Sequence, residues 1–322
     1  MKVALDVSPL RLTRAGSARY VEGLRRELPK HVELRELAWG GSGRATAAIR
    51  DAGWYPLGLP RAARGADVLH CPTFRAPLRD SVPMVVTVLD LAVLRHPELF
   101  NRWNRTYSRL TVPRVVRAAR HVIAISEFTK RELVELLDVD PGHVTVIGVP
   151  PLGGLSPDGP SAEGDYVLAV GTLEPRKNLE RAVEAASRAG VELRVVGARG
   201  WGGVSPNGVR WLGEVGDDEL AQLLRGARAL VYPSLYEGFG IPILEAMAVG
   251  TPVVTSRGGA TEEVAGGAAV LVDPLDPASI AAGIEDADRR RGELRSLGLA
   301  RARSFSWDDV ARRTVEVYEA AS

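Results

Sequence analysis

Short apolar runs alternate with amphipathic segments along this chain, and that alternation constrains the fold more than any other feature. Residues 83–89 and 121–125 are rich in β-branched residues and have the length of buried strands, whereas residues 19–28 have the spacing of an amphipathic helix. Strands that alternate with helices predict parallel sheets joined by right-handed crossovers. The sequence therefore predicts an α/β protein.

The alternation stops once, at residues 150–164. After Pro150 this stretch holds three prolines and four glycines, as linkers between domains often do, and the pattern then begins again. A length of 322 residues also suits two domains. We predict two Rossmann-like doubly wound domains, at 1–150 and 151–305, and a terminal helix at 306–322.

Charge is distributed unevenly between the two predicted domains. Residues 1–150 carry 23 basic and 15 acidic side chains, whereas residues 151–322 carry 18 and 25, so the net charges are +8 and −7. This asymmetry fits two domains that face each other across a cleft, and it also fits a basic domain that meets an anionic lipid surface or acceptor. Simple segregation of surface charge would give the same pattern.

The composition indicates a cytoplasmic protein. Cys71 is the only cysteine, which excludes an internal disulfide framework and favours a reducing compartment. The first residues run directly into a strand that meets Asp6, unlike a secretory signal peptide. No apolar run approaches the roughly 20 residues that span a bilayer. A peripheral position at the inner membrane face stays open.

The segment 237–245 carries the first candidate site. It begins with Glu237 and ends with Glu245, and it lies between a strand at 229–232 and a helix that begins near Pro242. A glycine-rich loop before a helix N-terminus offers backbone N–H groups and a positive dipole end to an anion, while carboxylates accept hydrogen bonds from hydroxyls. The segment suits a sugar joined to a phosphate.

The segment 171–178 supplies cations in the same domain. Arg176 and Lys177 follow the strand at 166–170 and precede a helix, so they stand at the carboxyl end of that strand. An arginine fork beside a lysine point charge suits a diphosphate. A solvated Arg-Lys pair at a helix start is the alternative interpretation.

In combination these segments resemble the retaining glycosyltransferases of family 4, the "group 1" enzymes of the two-domain GT-B architecture. The resemblance covers almost the whole chain and implies that the C-terminal helix crosses back to the N-terminal domain. The segments that carry it are Arg19-Tyr20, 67–72, 121–130, 171–178, 237–245, 250–255 and 305–307.

The resemblance implies a sugar-nucleotide site in the C-terminal domain. Arg176 and Lys177 would hold the diphosphate of the donor, Glu237 would bind the transferred sugar, and Glu245 would accept bonds from the ribose. We expect Arg176, Lys177 and Glu237 to be the catalytic residues. The implied donor-binding residues are Gly16, Ser17, Gly171, Thr172, Gly213, Val215, Gly238, Phe239, Gly240, Ile241, Leu244 and Glu245.

The acceptor side departs from the family pattern. Where the family often has His-Asp, this chain has Leu89 and Asp90, which removes one polar group. By resemblance we expect the acceptor side to include Asp90, Arg19, Tyr20, His70 and Ser126. A lone histidine such as His70 is more often structural, and that alternative is kept.

The predicted function is transfer of a hexose-type sugar, with retention, from a nucleotide-diphosphate donor (a UDP-, GDP- or ADP-sugar) to an acceptor hydroxyl on a glycan, lipid-linked or small molecule. Cell-surface polysaccharide or glycolipid synthesis is the expected context. No cofactor, metal or nucleic-acid partner is expected, because the sequence has no metal-ligand spacing among its histidines and no Asp-x-Asp signal. The alternatives are a non-catalytic sugar-nucleotide-binding protein and a sugar-nucleotide epimerase.

The predicted helix at 101–120 is strongly basic. Three of its arginines share one face by their spacing, and Trp103 and Tyr107 accompany them. This pattern fits docking on an anionic membrane or a lipid-linked acceptor. A solvated helix face is the alternative. The arginines are Arg102, Arg105, Arg109, Arg114, Arg117 and Arg120.

Overall fold

The structure is a computed structural model of the chain. It describes residues 1–12, 16–41, 43, 46, 49–79, 82–100, 102–151, 153–200 and 208–322. The described chain divides into two compact units. The first comprises Met1–Val149 and Ser306–Ser322, and the second comprises Pro150–Phe305.

Six described strands form one sheet in each unit. In the first unit they are β1 Lys2–Asp6, β2 Glu33–Leu37, β3 Val68–Cys71, β4 Met84–Val88, β5 His121–Ala124 and β6 Val144–Val146. In the second unit they are β7 Tyr166–Val170, β8 Glu192–Val196, β9 Arg210–Gly213, β10 Leu230–Tyr232, β11 Val253–Ser256 and β12 Val270–Val272.

Helices follow most of these strands. In chain order they are α1 Gly16–Glu27, α2 Leu59–Ala62, α3 Ala92–Arg95, α4 Arg102–Ala118, α5 Glu127–Leu137, α6 Leu179–Arg188, α7 Asp217–Gly226, α8 Ile241–Ala248, α9 Gly259–Ala265, α10 Pro277–Arg289, α11 Arg291–Arg303 and α12 Trp307–Ala321. A π-type segment, Arg50–Gly58, leads into α2. Single 3₁₀ turns are Ser8–Arg11, Leu28–Lys30, Pro97–Leu99, Pro141–His143 and Pro175–Lys177.

The strand order confirms the doubly wound prediction. The first sheet runs β2-β1-β3-β4-β5-β6, the second runs β12-β11-β10-β7-β8-β9, and the pairings are parallel. In the first sheet the order reverses between β1 and β3, and in the second it reverses between β7 and β10. Such switch points leave a crevice at the carboxyl ends of the strands, where ligands bind in this class of sheet.

Burial explains why the sequences of these strands are continuous runs of apolar residues. All five residues of β4 are buried, because helices cover both faces of a parallel sheet. Each unit has its own hydrophobic cluster, built from strand residues and the inner faces of the helices. Extensive burial of this kind is the main favourable contribution to folding.

The last helix belongs to the first unit, as the resemblance implied. Ser306 caps α12 by accepting a hydrogen bond from the Asp309 amide at 3.3 Å. The Trp307 ring lies on Gly23 of α1 so closely that an added Cβ there would stand 2.1 Å from it. Tyr318, at the other end of α12, is fully buried. The helix is therefore part of the core of this unit.

Candidate active site

The candidate site lies at the switch point of the second sheet. The loop after β7 turns through Pro175–Lys177 and so presents Arg176 and Lys177, and the loop after β10 presents Glu237. A hydrogen bond connects the two loops: the side-chain amide of Asn178 donates to the carbonyl oxygen of Pro233 at 2.9 Å. Residues 60 positions apart in sequence thus meet at one edge of the sheet.

Glu237 is the centre of a buried cluster of charges. One carboxylate oxygen accepts a hydrogen bond from the Arg176 guanidinium at 2.6 Å, and the other accepts one from the Lys177 ammonium at 2.5 Å. Arg176 also contacts Glu174 at 2.7 Å. The Glu237 side chain is only 8% exposed, so these ion pairs are weakly screened by solvent. The structure brings together all three residues predicted to be catalytic.

The electrostatics fix the charge states within this cluster. Burial alone would raise the pKa of Glu237, but Arg176 and Lys177 outweigh it and hold the pKa at about 2. Burial lowers the pKa of Lys177, and Glu237 offsets part of that effect. The carboxylate is therefore ionised at neutral pH.

Tyr232 is a member of this cluster that the sequence analysis missed. Its hydroxyl donates to Glu237 at 2.8 Å and accepts from the Lys177 ammonium at 2.8 Å. Burial raises its pKa well above the usual value, so the hydroxyl stays protonated. As the last residue of an apolar strand, Tyr232 looked like a core side chain. The one available signal was its place at the carboxyl end of a switch-point strand.

We predict that Tyr232→Phe lowers turnover about 10- to 100-fold, because it removes a hydrogen bond to charged groups. The loss should appear in kcat more than in KM, since the ring stays and only the geometry of Lys177 and Glu237 changes. Steady-state kinetics test this. Tyr166→Phe is the matched control, because it removes another buried hydroxyl of the same sheet, one that donates to Leu223 at 2.7 Å. A Tyr232→Phe enzyme with wild-type kcat would contradict the prediction.

The remaining predicted donor contacts of the second unit surround the same edge. Gly171 and Thr172 line a small cavity with Lys177, Tyr232 and Ser234. The residues of the 238–241 loop lead into α8. Phe239 and Leu244 are themselves buried. Contact between these residues and a donor remains a prediction.

The other predicted donor contacts lie at three places in the chain. Glu245 lies one turn into α8 and is 2% exposed. Gly213 ends β9 with a φ of +73°, a backbone conformation that favours glycine, and Val215 follows it, half-buried. In the first unit, Gly16 and Ser17 begin α1, with Gly16 exposed and Ser17 half-buried. Their roles toward a donor stay predictions.

The structure corrects two acceptor-side predictions. His70 is fully buried, with its ring nitrogens bonded to the Tyr318 hydroxyl at 2.7 Å and to the Thr87 hydroxyl at 2.8 Å. Burial lowers the pKa of His70 to about 3. Tyr20 is also fully buried and bonds Thr87 at 3.0 Å. Both side chains are core groups, because Thr87 and Tyr318 satisfy their polar atoms inside the unit.

The other acceptor-side candidates lie in different settings. Ser126 is buried and caps α5 by accepting from the Thr129 amide at 3.0 Å, so its hydroxyl has a structural role. Asp90 is half-buried, and one of its oxygens accepts from the Ala92 amide at 3.0 Å. Arg19 is half-buried on α1. Asp90 and Arg19 stay candidates for acceptor contact.

Metal-ligating residues do not cluster anywhere in the described part of the chain: no three His, Cys, Asp or Glu side chains are placed to hold one ion. Among the described helices, none combines the length and apolar character needed to cross a bilayer. Arg176 and Lys177 place positive charge at the candidate site.

Comparison with known proteins identifies the family of this chain. The family profile described as "Glycosyl transferases group 1" matches residues 164–287, and that of "Glycosyltransferase Family 4" matches residues 15–149. The chain is 30% identical over 282 residues to O-antigen chain mannosyltransferase B of Escherichia coli, covering 78% of this chain and 74% of the relative. It is 34% identical over 237 residues to MMP alpha-(1->4)-mannosyltransferase of Mycolicibacterium hassiacum, covering 65% and 56%.

Solved structures share the whole fold. Sucrose-phosphate synthase from Thermosynechococcus elongatus superimposes with a TM-score of 0.78 at 19% identity, covering 99% of this chain and 98% of that one. Anabaena HepE in complex with UDP-glucose gives 0.75 at 18% identity, covering 99% of both chains. Fold and matches together define a glycosyltransferase of the GT-B type. More narrowly, the chain belongs to glycosyltransferase family 4, the glycosyl transferases group 1, which confirms the resemblance.

Proposed function

We propose that the protein transfers a mannosyl or glucosyl group, with retention, from a nucleoside-diphosphate sugar to an acceptor hydroxyl in polysaccharide or glycolipid synthesis. The observation that carries this proposal is the cluster of Arg176, Lys177 and Glu237 at the switch point of the second sheet. The choice of sugar rests on the mannosyltransferases among the relatives and on the UDP-glucose bound by HepE.

Arg176 and Lys177 hold the donor diphosphate in this proposal. Both cations are largely buried, with side chains 17% and 16% exposed, so their attraction for phosphate oxygens is stronger than at an open surface. Glu237 accepts hydrogen bonds from hydroxyls of the transferred sugar. The N-terminus of α8 adds a positive dipole end near the same loop.

The transfer step follows from this placement. The acceptor oxygen forms a bond to the anomeric carbon on the face from which the diphosphate departs, and the bond from that carbon to the phosphate oxygen breaks. The acceptor proton passes to the departing phosphate oxygen. Arg176 and Lys177 stabilise the charge that develops there, which is the largest contribution expected for such a site. Because two side-chain cations supply this charge, we propose that no metal ion or cofactor is needed.

Thermal-shift titration with UDP-, GDP- and ADP-sugars in the presence of EDTA tests the donor site. A ligand at 100 times its Kd stabilises the folded state by about 2.7 kcal/mol. We expect one nucleotide series to raise Tm in the wild type and not in Lys177→Met, which removes the charge and keeps an unbranched side chain of nearly the same length. No shift with any donor would contradict the donor site. Proton NMR of the product then reports the anomeric configuration, and inversion would contradict retention.

We further propose that α4 docks on an anionic membrane. Trp103 is 66% exposed and Leu110 is 53% exposed, and exposed arginines at 102, 109 and 114 accompany them. Cations beside exposed apolar groups suit the surface of an anionic bilayer.

Co-sedimentation with vesicles tests this docking. We predict that the protein sediments with phosphatidylglycerol-containing vesicles and not with pure phosphatidylcholine, and that Trp103→Ser reduces the bound fraction. Leu297→Ser, at a leucine 42% exposed on α11, is the control and should bind as the wild type does. Equal binding to both kinds of vesicle would contradict an electrostatic docking surface.

A further inference from the structure

Glu174 is an acidic residue of the candidate site to which the proposed function gives no role. Its side chain is 2% exposed, less than that of Glu237 at 8%, and its Oε1 lies 2.7 Å from a terminal nitrogen of Arg176. A second buried carboxylate adds nothing to the affinity of a site for a diphosphate, because like charges repel. The place of Glu174 beside a cation that binds diphosphate therefore calls for an explanation.

The backbone around Glu174 is fixed on both sides. Before it, the Leu173 amide donates to the carbonyl oxygen of Ala198 at 3.0 Å, which joins this loop to the loop after β8. After it, the Lys177 amide donates to the Glu174 carbonyl oxygen at 3.0 Å and closes the turn Pro175–Lys177. The carboxylate thus stands on a well-supported stretch of chain, as a group that orients another side chain must.

Two acids contact the two terminal nitrogens of the Arg176 guanidinium. Nη2 contacts Glu174 at 2.7 Å, whereas Nη1 donates to Glu237 at 2.6 Å and to the Tyr236 carbonyl oxygen at 3.2 Å. Contacts at one nitrogen alone would leave the planar guanidinium able to turn, and contacts at both nitrogens fix its plane. Glu174 therefore helps to set the direction in which Arg176 presents its N–H donors.

Folding stability does not account for this ion pair. Moving two charges out of water costs about as much as their attraction returns, so a buried ion pair contributes little net stability. The Arg176 side chain is 17% exposed and already has Glu237 as a counterion. A second counterion is not needed to neutralise one guanidinium. The pair favours a role in the reaction.

Glu174 also changes the charge that a diphosphate meets. Arg176 and Lys177 are two cations, and Glu174 and Glu237 are two acids, so the charges of these four side chains sum to zero. Burial lowers the pKa of Lys177, and the charges of Glu237 and Glu174 both act in the opposite direction, so the electrostatic effect of Glu174 extends to both cations. The charge of Glu174 therefore opposes the binding of an anion at this site.

We propose that Glu174 is a positioning residue that acts through Arg176, an inference that rests on the proposed function. Its carboxylate fixes the guanidinium in the direction of the departing diphosphate while the sugar is transferred. The same negative charge weakens the attraction of both cations for the nucleoside diphosphate after transfer, and so speeds release of the product.

Glu174→Gln tests the proposal, because it keeps the size of the side chain and removes its charge. We expect the rate of diphosphate release in a single turnover, with enzyme in excess over the sugar nucleotide, to fall about tenfold, because a hydrogen bond to a charged group is weakened. The Kd of the free nucleoside diphosphate should fall about three- to tenfold, because a nearby negative charge is lost. Calorimetric titration with UDP, GDP and ADP in the presence of EDTA measures that Kd.

Two further variants separate position from charge. Glu174→Asp keeps the charge on a shorter side chain, so it should slow the single turnover and bind nucleoside diphosphate as the wild type does. In an Arg176→Met background, Glu174→Gln should slow the turnover by no more than about twofold, because a positioning residue has little effect once the group that it orients is gone.

The matched control is Glu132→Gln. Glu132 is a buried acid of α5, 6% exposed, that pairs with Arg95 in the first unit, so its variant should lose stability and keep both the turnover rate and the nucleotide affinity. In Glu174→Gln, a wild-type turnover rate, an unchanged Kd, or a slower rate together with weaker nucleotide binding would overturn the proposal. No turnover by the wild type with any donor contradicts the proposed function, whereas the Kd measurements test this inference without turnover.

Discussion

Replacing Glu237 with glutamine is expected to lower turnover by about 100- to 1000-fold, the range found when one preorganised electrostatic group is removed from an active site. The glutamine keeps the size of the side chain and loses its charge. It therefore cannot balance Arg176 and Lys177, which both donate to the carboxylate of Glu237 within 2.6 Å. Because Glu237 raises the pKa of Lys177, its removal also lowers the charged fraction of that ammonium.

The same substitution should change stability. Removing one partner of a buried ion pair costs about 3 to 5 kcal/mol, because the other charge stays buried without a counterion. The depressed pKa of Glu237 contributes stability above the unfolded value of 4.5, and this contribution is lost as pH falls toward about 2. Between those pH values, Glu237→Gln should lose less stability on acidification than the wild type does.

Steady-state kinetics and thermal unfolding from pH 7 to pH 3 test both statements. Glu184→Gln is the control, because Glu184 is 52% exposed and pairs with Arg188 on α6 at the surface, where ion pairs contribute little. It should match the wild type in turnover and in Tm. Turnover of Glu237→Gln within threefold of the wild type would remove Glu237 from the mechanism.

Replacing Gly197 with alanine is expected to destabilise the second unit by about 2 to 5 kcal/mol and to weaken donor binding, because it combines overpacking with backbone strain. Gly197 follows β8 with a φ of +148°, where a side chain is disfavoured. An added Cβ would lie 2.0 Å from the carbonyl oxygen of Gly171. That oxygen belongs to the backbone, so the loop before Arg176 and Lys177 must move.

Chemical denaturation and nucleotide binding measure the two effects. Gly292→Ala is the control, because an added Cβ at Gly292, within α11, meets nothing within 4 Å, and alanine favours helix. It should keep donor binding and keep or slightly raise stability. Wild-type stability in Gly197→Ala would show that the 171–172 loop can shift without an energetic cost. The positions of Arg176 and Lys177 would then not depend on the close approach of Gly197 to the Gly171 carbonyl oxygen.

The fold could be predicted because local patterns determine it. Runs such as 83–89 are apolar throughout, which indicates a sheet covered on both faces, and the linker at 150–164 separates the two halves. Strand order was not readable from these patterns. The reversal between β7 and β10, which forms the crevice, depends on which helix crosses which face. The π-type segment Arg50–Gly58 also had no recognisable period.

The charged part of the site was predictable, and its uncharged members were not. Arg176, Lys177 and Glu237 stand out as charges at strand ends and beside glycines. Tyr232 resembles any apolar residue that ends a buried strand, and only the fold places its hydroxyl between Lys177 and Glu237. His70 was misassigned for the converse reason, because its partners come from Thr87 and the distant α12.

Release of nucleoside diphosphate tests the central claim most directly. The wild type, Glu237→Gln and Glu184→Gln are incubated with UDP-glucose, GDP-mannose and ADP-glucose, with and without an acceptor glycan, and the released diphosphate is quantified. The account predicts release from at least one donor by the wild type and Glu184→Gln, accelerated by acceptor, and about 100-fold or greater loss in Glu237→Gln. A folded wild type that binds a donor and releases no diphosphate with any acceptor would contradict it.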